Sequence, residues 1–234
     1  MQLFYNPNID ENTPEILFSK DESKHIVKVL RKNSGDQLHI TNGIGWLFVA
    51  EITNADIKNC VASIISKAFE PARNYKVHLA VAPTKMNDRY EWFLEKATEI
   101  GVDAITPIIC DHSERKVVKT DRFEKILQSA MKQALLYYMP VLNETISFND
   151  FINQPFNGQK FIAHCEETER TSLKNALQPQ SDVLILIGPE GDFSPNEIKA
   201  AIALGFKPVT LGNTRLRTET AAIVACHSVA FSNE

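Results

Sequence analysis

The chain has 234 residues, enough for one large or two modest domains with cores of their own. Its composition, 44% hydrophobic and 23% charged, is that of an ordinary globular protein, and no run approaches the roughly 18 apolar residues of a membrane span. A formal net charge of −4 argues against a protein that coats nucleic acid non-specifically, yet leaves room for local basic patches. The opening residues have neither the basic stretch nor the apolar core of a signal peptide, so a cytoplasmic location is expected. Cys60, Cys110, Cys165 and Cys226 are far apart and form no C-x-x-C pair, so no disulfide is expected. Two adjacent pairs, His164-Cys165 and Asp111-His112, read better as buried thiols and hydrogen-bonded imidazoles than as metal ligands.

The first seventy residues are β-rich. Residues 2–5, 15–18, 36–41, 46–53 and 60–68 are predicted as strands, with Asn42-Gly43-Ile44-Gly45 as a hairpin signal. One helix interrupts them, opened by the capping-box spacing of Ser19 and Glu22. On it Ile26, Val27, Val29 and Leu30 are apolar, while Lys24, Lys28, Arg31 and Lys32 lie on another side beside His25. That basic side is either a solvated face or a ridge that contacts phosphate on a small barrel. The polar stretch 70–74 is the expected boundary, giving domains 1–71 and 72–234.

Beyond it strands and helices alternate. Strands are predicted at 77–82, 104–110, 160–165, 183–187 and 208–211. Helices are predicted from a cap at Asp88 to Ile100, from 121 to 138, over 168–177, over 194–204 and over 218–231, the last with Thr218 as its N-cap. Continuous apolar strands separated by helices imply an α/β fold with a parallel sheet covered on both faces.

In such sheets ligands bind beyond the carboxyl ends of strands. Three of these ends are unusual. The first reads His164-Cys165-Glu166-Glu167. The second follows Ile187 and reads Gly188-Pro189-Glu190-Gly191-Asp192-Phe193, running into a capping box at Ser194 and Glu197. Its glycines permit backbone shapes and close approaches that a side chain would block. The third reads Leu211-Gly212-Asn213-Thr214-Arg215-Leu216-Arg217-Thr218-Glu219-Thr220, polar up to an abrupt change to small apolar residues. Taken singly, the second is also readable as a tight strand-to-helix turn and the third as a capped helix with a surface ion pair. Neither G-x-x-x-x-G-K-[ST] nor G-x-G-x-x-G occurs, and Glu190 would repel a triphosphate, so a ligand with hydroxyls, an amine or a positive centre suits the loop better.

Taken together, these segments resemble the RsmE-like methyltransferases of the SPOUT class, which methylate N3 of a uridine in 16S ribosomal RNA. Gly188-Pro189-Glu190-Gly191-Asp192-Phe193-Ser194 with Glu197-Ile198 resembles that family's GPEGG-F-S-x-x-E-I segment. Leu211-Gly212 with Leu216-Arg217-Thr218-Glu219-Thr220-Ala221 resembles its L-G-x-x-x-L-R-T-E-T-A segment. Lys85, Glu91-Trp92 and the run from Lys96 to Val102 are similar to its K…E-W…K-A-T-E-L-G-V stretch, and Ser113-Glu114-Arg115 to its S-E-R. His25 to Arg31, followed by Gly35-Asp36, resembles the H-x-x-x-V-L-R helix of its first domain. Four positions depart from the pattern: Asp192 stands for a second glycine, Thr214-Arg215 for Arg-Ile, and Leu136 for an arginine.

The resemblance implies a PUA-like RNA-binding β-barrel at 1–71 and a SPOUT domain with a trefoil knot at 72–234. It implies a homodimer that binds S-adenosylmethionine and acts on 16S ribosomal RNA within the 30S subunit, with no membrane and no metal. The donor would touch His164, Cys165 and Glu166, then Ile187, Gly188, Pro189, Glu190 and Gly191, then Leu211, Gly212, Asn213 and Leu216. Arg217 would stabilise charge on the uracil oxygens, and Glu219 would orient it or accept a proton. Lys24, His25, Lys28 and Arg31 would grip RNA, with Arg115 and Lys119 nearer the active site. Two other readings stay open: another SPOUT enzyme acting on transfer RNA or a ribose hydroxyl, and a non-catalytic RNA-binding or ribosome-assembly protein.

Overall fold

The computed structural model describes residues 1–166 and 169–234 and divides into two compact units. The first comprises Met1–Ala72 and Met131–Met139, the second Arg73–Ala130 and Pro140–Glu234. Glu167 and the first residue of the helix expected from 168 lie outside the described residues. Among the described residues no helix is long and apolar enough to cross a membrane, and no group of three His, Cys, Asp or Glu is placed to hold a metal ion.

In the first unit, strands β1 (Leu3–Tyr5), β2 (Glu15–Leu17), β3 (Gln37–Thr41), β4 (Trp46–Asn54) and β5 (Val61–Phe69) form one sheet in the order β1-β3-β4-β5-β2. Neighbours are antiparallel except β1, which runs parallel to β3. Phe4 from one edge strand and Ile16 from the other share a core with Ile26, Ile40, Phe48 and Ile52, so the sheet curls around its own apolar face. The β3–β4 turn needs its glycines: Gly43 and Gly45 have φ of 78° and 96°, and a side chain at Gly45 would collide with Tyr138. The Tyr138 hydroxyl donates to the Glu70 carbonyl at 2.8 Å.

Helix α1 (Lys20–Lys24) starts where the sequence places it, with Ser19 Oγ accepting from the Glu22 N–H. It then widens into one π-helical turn, His25–Val29, and Arg31 follows in the left-handed region at φ 56°. Lys24, Lys28 and Arg31 are exposed. His25 is not free: its Nε2 lies 3.1 Å from the Gln2 amide and its ring packs edge-on to Phe4.

The second unit is a parallel sheet. Its strands are β6 (Val77–Val81), β7 (Ala104–Ile109), β8 (Val141–Leu142), β9 (Ile146–Ser147), β10 (Gln159–Ala163), β11 (Thr171–Ser172), β12 (Val183–Ile187) and β13 (Lys207–Thr210). The order is β11-β13-β10-β12-β6-β7-β8, with β9 also on β7. All five residues of β12 are buried, as expected for a central strand covered on both sides. Leu184 and Leu186 pack with α4 (Phe148–Ile152) and α6 (Pro195–Ala203), around Phe148, Phe151 and Ile198. The opposite face carries α7 (Thr218–Ser232), which packs on β6, β12, α2 (Asn87–Ile100) and α5 (Leu173–Ala176).

Register decides what lies beside what. Ala163 pairs with Ile187 and with Val209, and Ile187 pairs with Val81, so the carboxyl ends of β13, β10, β12 and β6 are level. The three loops singled out in the sequence therefore leave adjacent strands at one end of the sheet.

Several local expectations are corrected. The second predicted helix begins at Asn87 after Met86, so Asp88 is a first-turn residue, not the cap; its carboxylate accepts only from the next N–H, that of Arg89. Helix α3 (Thr120–Gln133) stops five residues before 138, because Leu135 takes φ 57° and the chain turns there. The described part of 168–177 is a short strand at Thr171–Ser172 and a single helical turn at Leu173–Ala176. Helix α7 has Arg217 at its N-cap with no side-chain capping bond. Thr218 is the first helical residue instead, and its hydroxyl is turned elsewhere.

Candidate active site

The loop after β12 is held by three independent devices. Ser194 and Glu197 form a complete capping box at the start of α6, with Pro195 in its first turn. Glu197 is buried and also accepts from the Asp111 N–H at 2.9 Å, while Ser194 Oγ donates to Asp111 at 2.6 Å. His112 completes the clamp: its Nδ1 lies 3.0 Å from the carbonyl oxygens of both Gly191 and Asp192, so that nitrogen carries the proton.

The glycines in this loop act by close approach. Neither Gly188 nor Gly191 has a positive φ. A Cβ on Gly188 would come within 3.1 Å of the Phe193 ring, and one on Gly191 within 3.1 Å of His112 Cβ. The left-handed backbone falls instead on Asp192, at φ 63°. Its carboxylate accepts from its neighbour's N–H on Phe193 at 2.8 Å and from the Cys165 N–H at 2.6 Å.

The loop after β10 meets it there. His164 is buried, its two ring nitrogens have no hydrogen-bond partner among the described residues, and burial lowers its pKa from the usual 6.5. Its carbonyl accepts from Arg170. Cys165 is exposed, contrary to the buried thiol expected, because it lies past the end of β10 where the chain opens into a cleft. Cys60, Cys110 and Cys226 are buried and free.

The third loop is joined to the second by one hydroxyl. Thr218 Oγ1 donates to the Gly188 carbonyl at 3.0 Å, buried at the start of α7. Gly212 has φ 143°, and its carbonyl accepts from Thr210 Oγ1 at 2.7 Å. Glu219 is buried, with Oε2 unpartnered and Oε1 3.9 Å from the Arg89 guanidinium.

Two adjoining clefts result, of about 550 and 330 Å³. Their walls share Ala163, Cys165, Asp192, Arg215, Leu216 and Ala221. The lining mixes apolar side chains (Leu211, Leu216, Ala221) with carboxylates (Glu166, Glu190, Asp192) and arginines (Arg170, Arg215, Arg217), which suits a ligand that has both an apolar part and charged groups.

The residues 71–230 match the model of the RNA methyltransferase domain, and residues 18–65 that of the RNA methyltransferase PUA domain. The chain belongs to this RNA methyltransferase family. A curated member, ribosomal RNA small subunit methyltransferase E of Buchnera aphidicola, is 31% identical over 233 residues, covering 96% of this chain and 90% of its own. A probable rRNA-methyltransferase from Porphyromonas gingivalis has a crystal structure similar at TM-score 0.89, with 42% identity over 99% of both chains. Ribosomal RNA small subunit methyltransferase E from Neisseria gonorrhoeae, solved bound to S-adenosyl methionine, has a TM-score of 0.87 and 25% identity, covering 100% of this chain and 98% of its own.

His164, Cys165, Glu166, Gly191, Leu211, Gly212, Asn213 and Leu216 line the larger cleft. Ile187, Gly188, Pro189 and Glu190 line the smaller one, with Arg217 at its edge. Glu219 lines neither; it is buried one residue behind Thr218 and its ion pair is with Arg89, not Arg217. Arg115 bonds to the Asn87 side chain and the Lys85 carbonyl, so it braces the segment before α2. Lys85 pairs with Glu114 at 2.8 Å, and its N–H donates to Glu190 at 2.9 Å. The separate family-like segments around 85, 114 and 190 thus converge at one place.

Arg89 and Arg170 carry no signal in the sequence, and His112, read there only as a hydrogen-bonded imidazole, gives no sign of which loop it holds. Each is one polar residue without a motif around it, and each acts on a loop distant along the chain. The change from glycine to Asp192 was visible as a departure, but its left-handed backbone was not.

Proposed function

We propose that the chain is an S-adenosylmethionine-dependent methyltransferase acting on N3 of a uridine in 16S ribosomal RNA, in the cytoplasm and on the small ribosomal subunit. The observation that carries this reading is the convergence of the loops after β10, β12 and β13 on two adjoining clefts, pinned by the Thr218–Gly188 hydrogen bond. The named activity and bound donor of the relatives support it.

The residues present fit the donor. Buried His164 has two ring nitrogens without partners, a cost that a polar ligand in the cleft would relieve. Leu211, Leu216 and Ala221 offer apolar contact for a base, while Glu166 and Asp192 offer carboxylates to an amine, hydroxyls or a sulfonium. S-adenosylmethionine supplies an electrophilic methyl group on a sulfonium sulfur.

The protein's own tasks are then to expose the base, take its proton and exclude water. Uracil N3 is occupied by a hydrogen and pairs through it, so the base must leave its stack and lose that proton. Arg217, exposed at the edge of the smaller cleft, stabilises negative charge on the uracil oxygens. Glu219, buried with one oxygen unpartnered among the described residues and lining neither cleft, accepts the proton through water. Positioning accounts for most of the acceleration.

RNA selection belongs to the PUA-like region of residues 1–71, where Lys24, Lys28 and Arg31 grip phosphate and His25 holds the ridge against Phe4. The methyl-transfer domain is 72–234. Two further features belong to the same reading. One is the trefoil knot, a reading that the position of β13 between β10 and β11 supports. The other is a homodimer: α2 and α7 pack together yet leave Trp92 and Phe231 exposed, apolar area that a second subunit would cover.

The test is direct. The protein is incubated with labelled donor and small subunits lacking the modification, and the methyl is mapped by mass spectrometry. One methyl on N3 of a single uracil is expected. Transfer to a ribose, to transfer RNA or to nothing would overturn the proposal.

A further inference from the structure

Asp192 combines features that are costly separately. It adopts φ 63°, a conformation that L side chains rarely take. Its side chain is spent on two backbone N–H groups, on Phe193 and Cys165, that belong to different loops. On its other side its carbonyl is held by His112. The residue also lines both clefts.

Two charges near it have partners of their own, while Glu166 lines the larger cleft beside it. Glu190 accepts from the Lys85 N–H, and Arg170 is engaged with the His164 carbonyl. Arg215 lines both clefts as well. Asp192 is thus a carboxylate at the shared wall, fixed in place by the backbone it bonds.

We propose that Asp192 is a latch and a charge selector: it ties the loop after β10 to the loop after β12, and its carboxylate makes the cleft prefer a sulfonium donor over the uncharged thioether left after transfer. The selector half rests on the donor reading of the site. The latch half does not. A product that binds as tightly as the donor would inhibit turnover, so a fixed negative charge facing a sulfonium has a use that a glycine cannot supply.

Two variants separate the halves. Asp192→Asn keeps an oxygen for the Cys165 N–H and removes the charge. Asp192→Gly removes both and relaxes the backbone, so it is not expected to unfold the protein. Amide exchange at Cys165 is measured by NMR on unliganded protein, and affinities for S-adenosylmethionine and S-adenosylhomocysteine by calorimetry. Exchange at Cys165 is expected to speed up in Asp192→Gly and to stay near wild type in Asp192→Asn, with β12 amides unchanged in both. The donor-to-product affinity ratio is expected to fall about three- to tenfold in Asp192→Asn. Unchanged exchange at Cys165 in Asp192→Gly overturns the latch. An unchanged ratio in Asp192→Asn overturns the selector. Failure of the wild-type protein to bind either compound overturns the donor reading and the selector with it, while the exchange measurement still decides the latch.

Discussion

Arg217 stands at the N-cap of α7, where the chain leaves the smaller cleft, and its guanidinium makes no hydrogen bond among the described residues. A cation in that setting is available to a substrate. Arg217→Ala is expected to lower methyl transfer by about 100-fold or more, as loss of a preorganised charge-stabilising donor does, with donor affinity nearly unchanged. Full transfer by the folded variant would remove the role. His78 makes a different argument. Thr106 Oγ1 accepts the Asn143 amide hydrogen and lies 2.8 Å from His78 Nε2. Burial depresses the His78 pKa from the usual 6.5 to about 4. The unfolded chain therefore binds the proton first: stability is full above pH 6.5 and is lost as pH falls towards 4. The loss approaches about 3 kcal/mol. Denaturation midpoints of wild type and His78→Gln between pH 7 and 4 check it, the variant being expected to show the shallower decline.

At the scale of the element, what was legible in the sequence depended on how local the cause is. The Ser19 cap and the Ser194/Glu197 box act within four residues, and both helices begin there. Gly101, at φ 102°, ends α2 for a reason equally local. The helix predicted to 138 fails for a non-local one. Residues 131–139 belong to the first unit, where the Met139 N–H donates to the Gly43 carbonyl and Tyr138 bridges to Ile44. Those bonds outweigh the helical pattern of the sequence. Glu197 is a cap whose carboxylate serves two elements, so Glu197→Ala leaves the Asp111 and Ser194 N–H groups without it. A loss of about 2 kcal/mol is expected from urea denaturation, more than an ordinary cap removal gives. On the first unit, replacing Lys24, Lys28 and Arg31 with neutral residues is expected to weaken RNA binding and flatten its dependence on salt. Binding that is unchanged across salt concentrations would leave that face merely solvated.

For the molecule as a whole, strand order is the decisive variable. Because the clefts form between loops of the folded state only, donor binding should stabilise it: about 2.7 kcal/mol at a hundredfold excess over Kd, or roughly 5–10 °C in Tm. A thermal shift with S-adenosylmethionine that stays at zero would contradict the fit of His164 and its neighbours to a ligand. The sequence by itself determined the parallel α/β character, the curled β-rich start, the capped helix starts and the three loops whose residues line the clefts. Each depends on periodicity or on spacing within a few residues. Only the tertiary structure decided that β10 lies between β12 and β13, which makes those loops neighbours. It alone paired Glu219 with Arg89, Glu190 with the Lys85 N–H, and Asp192 with the Cys165 N–H. Those partners are 27 to 130 positions apart by residue number. No local rule links groups so distant, because the register of a parallel sheet is set by burial over the whole core.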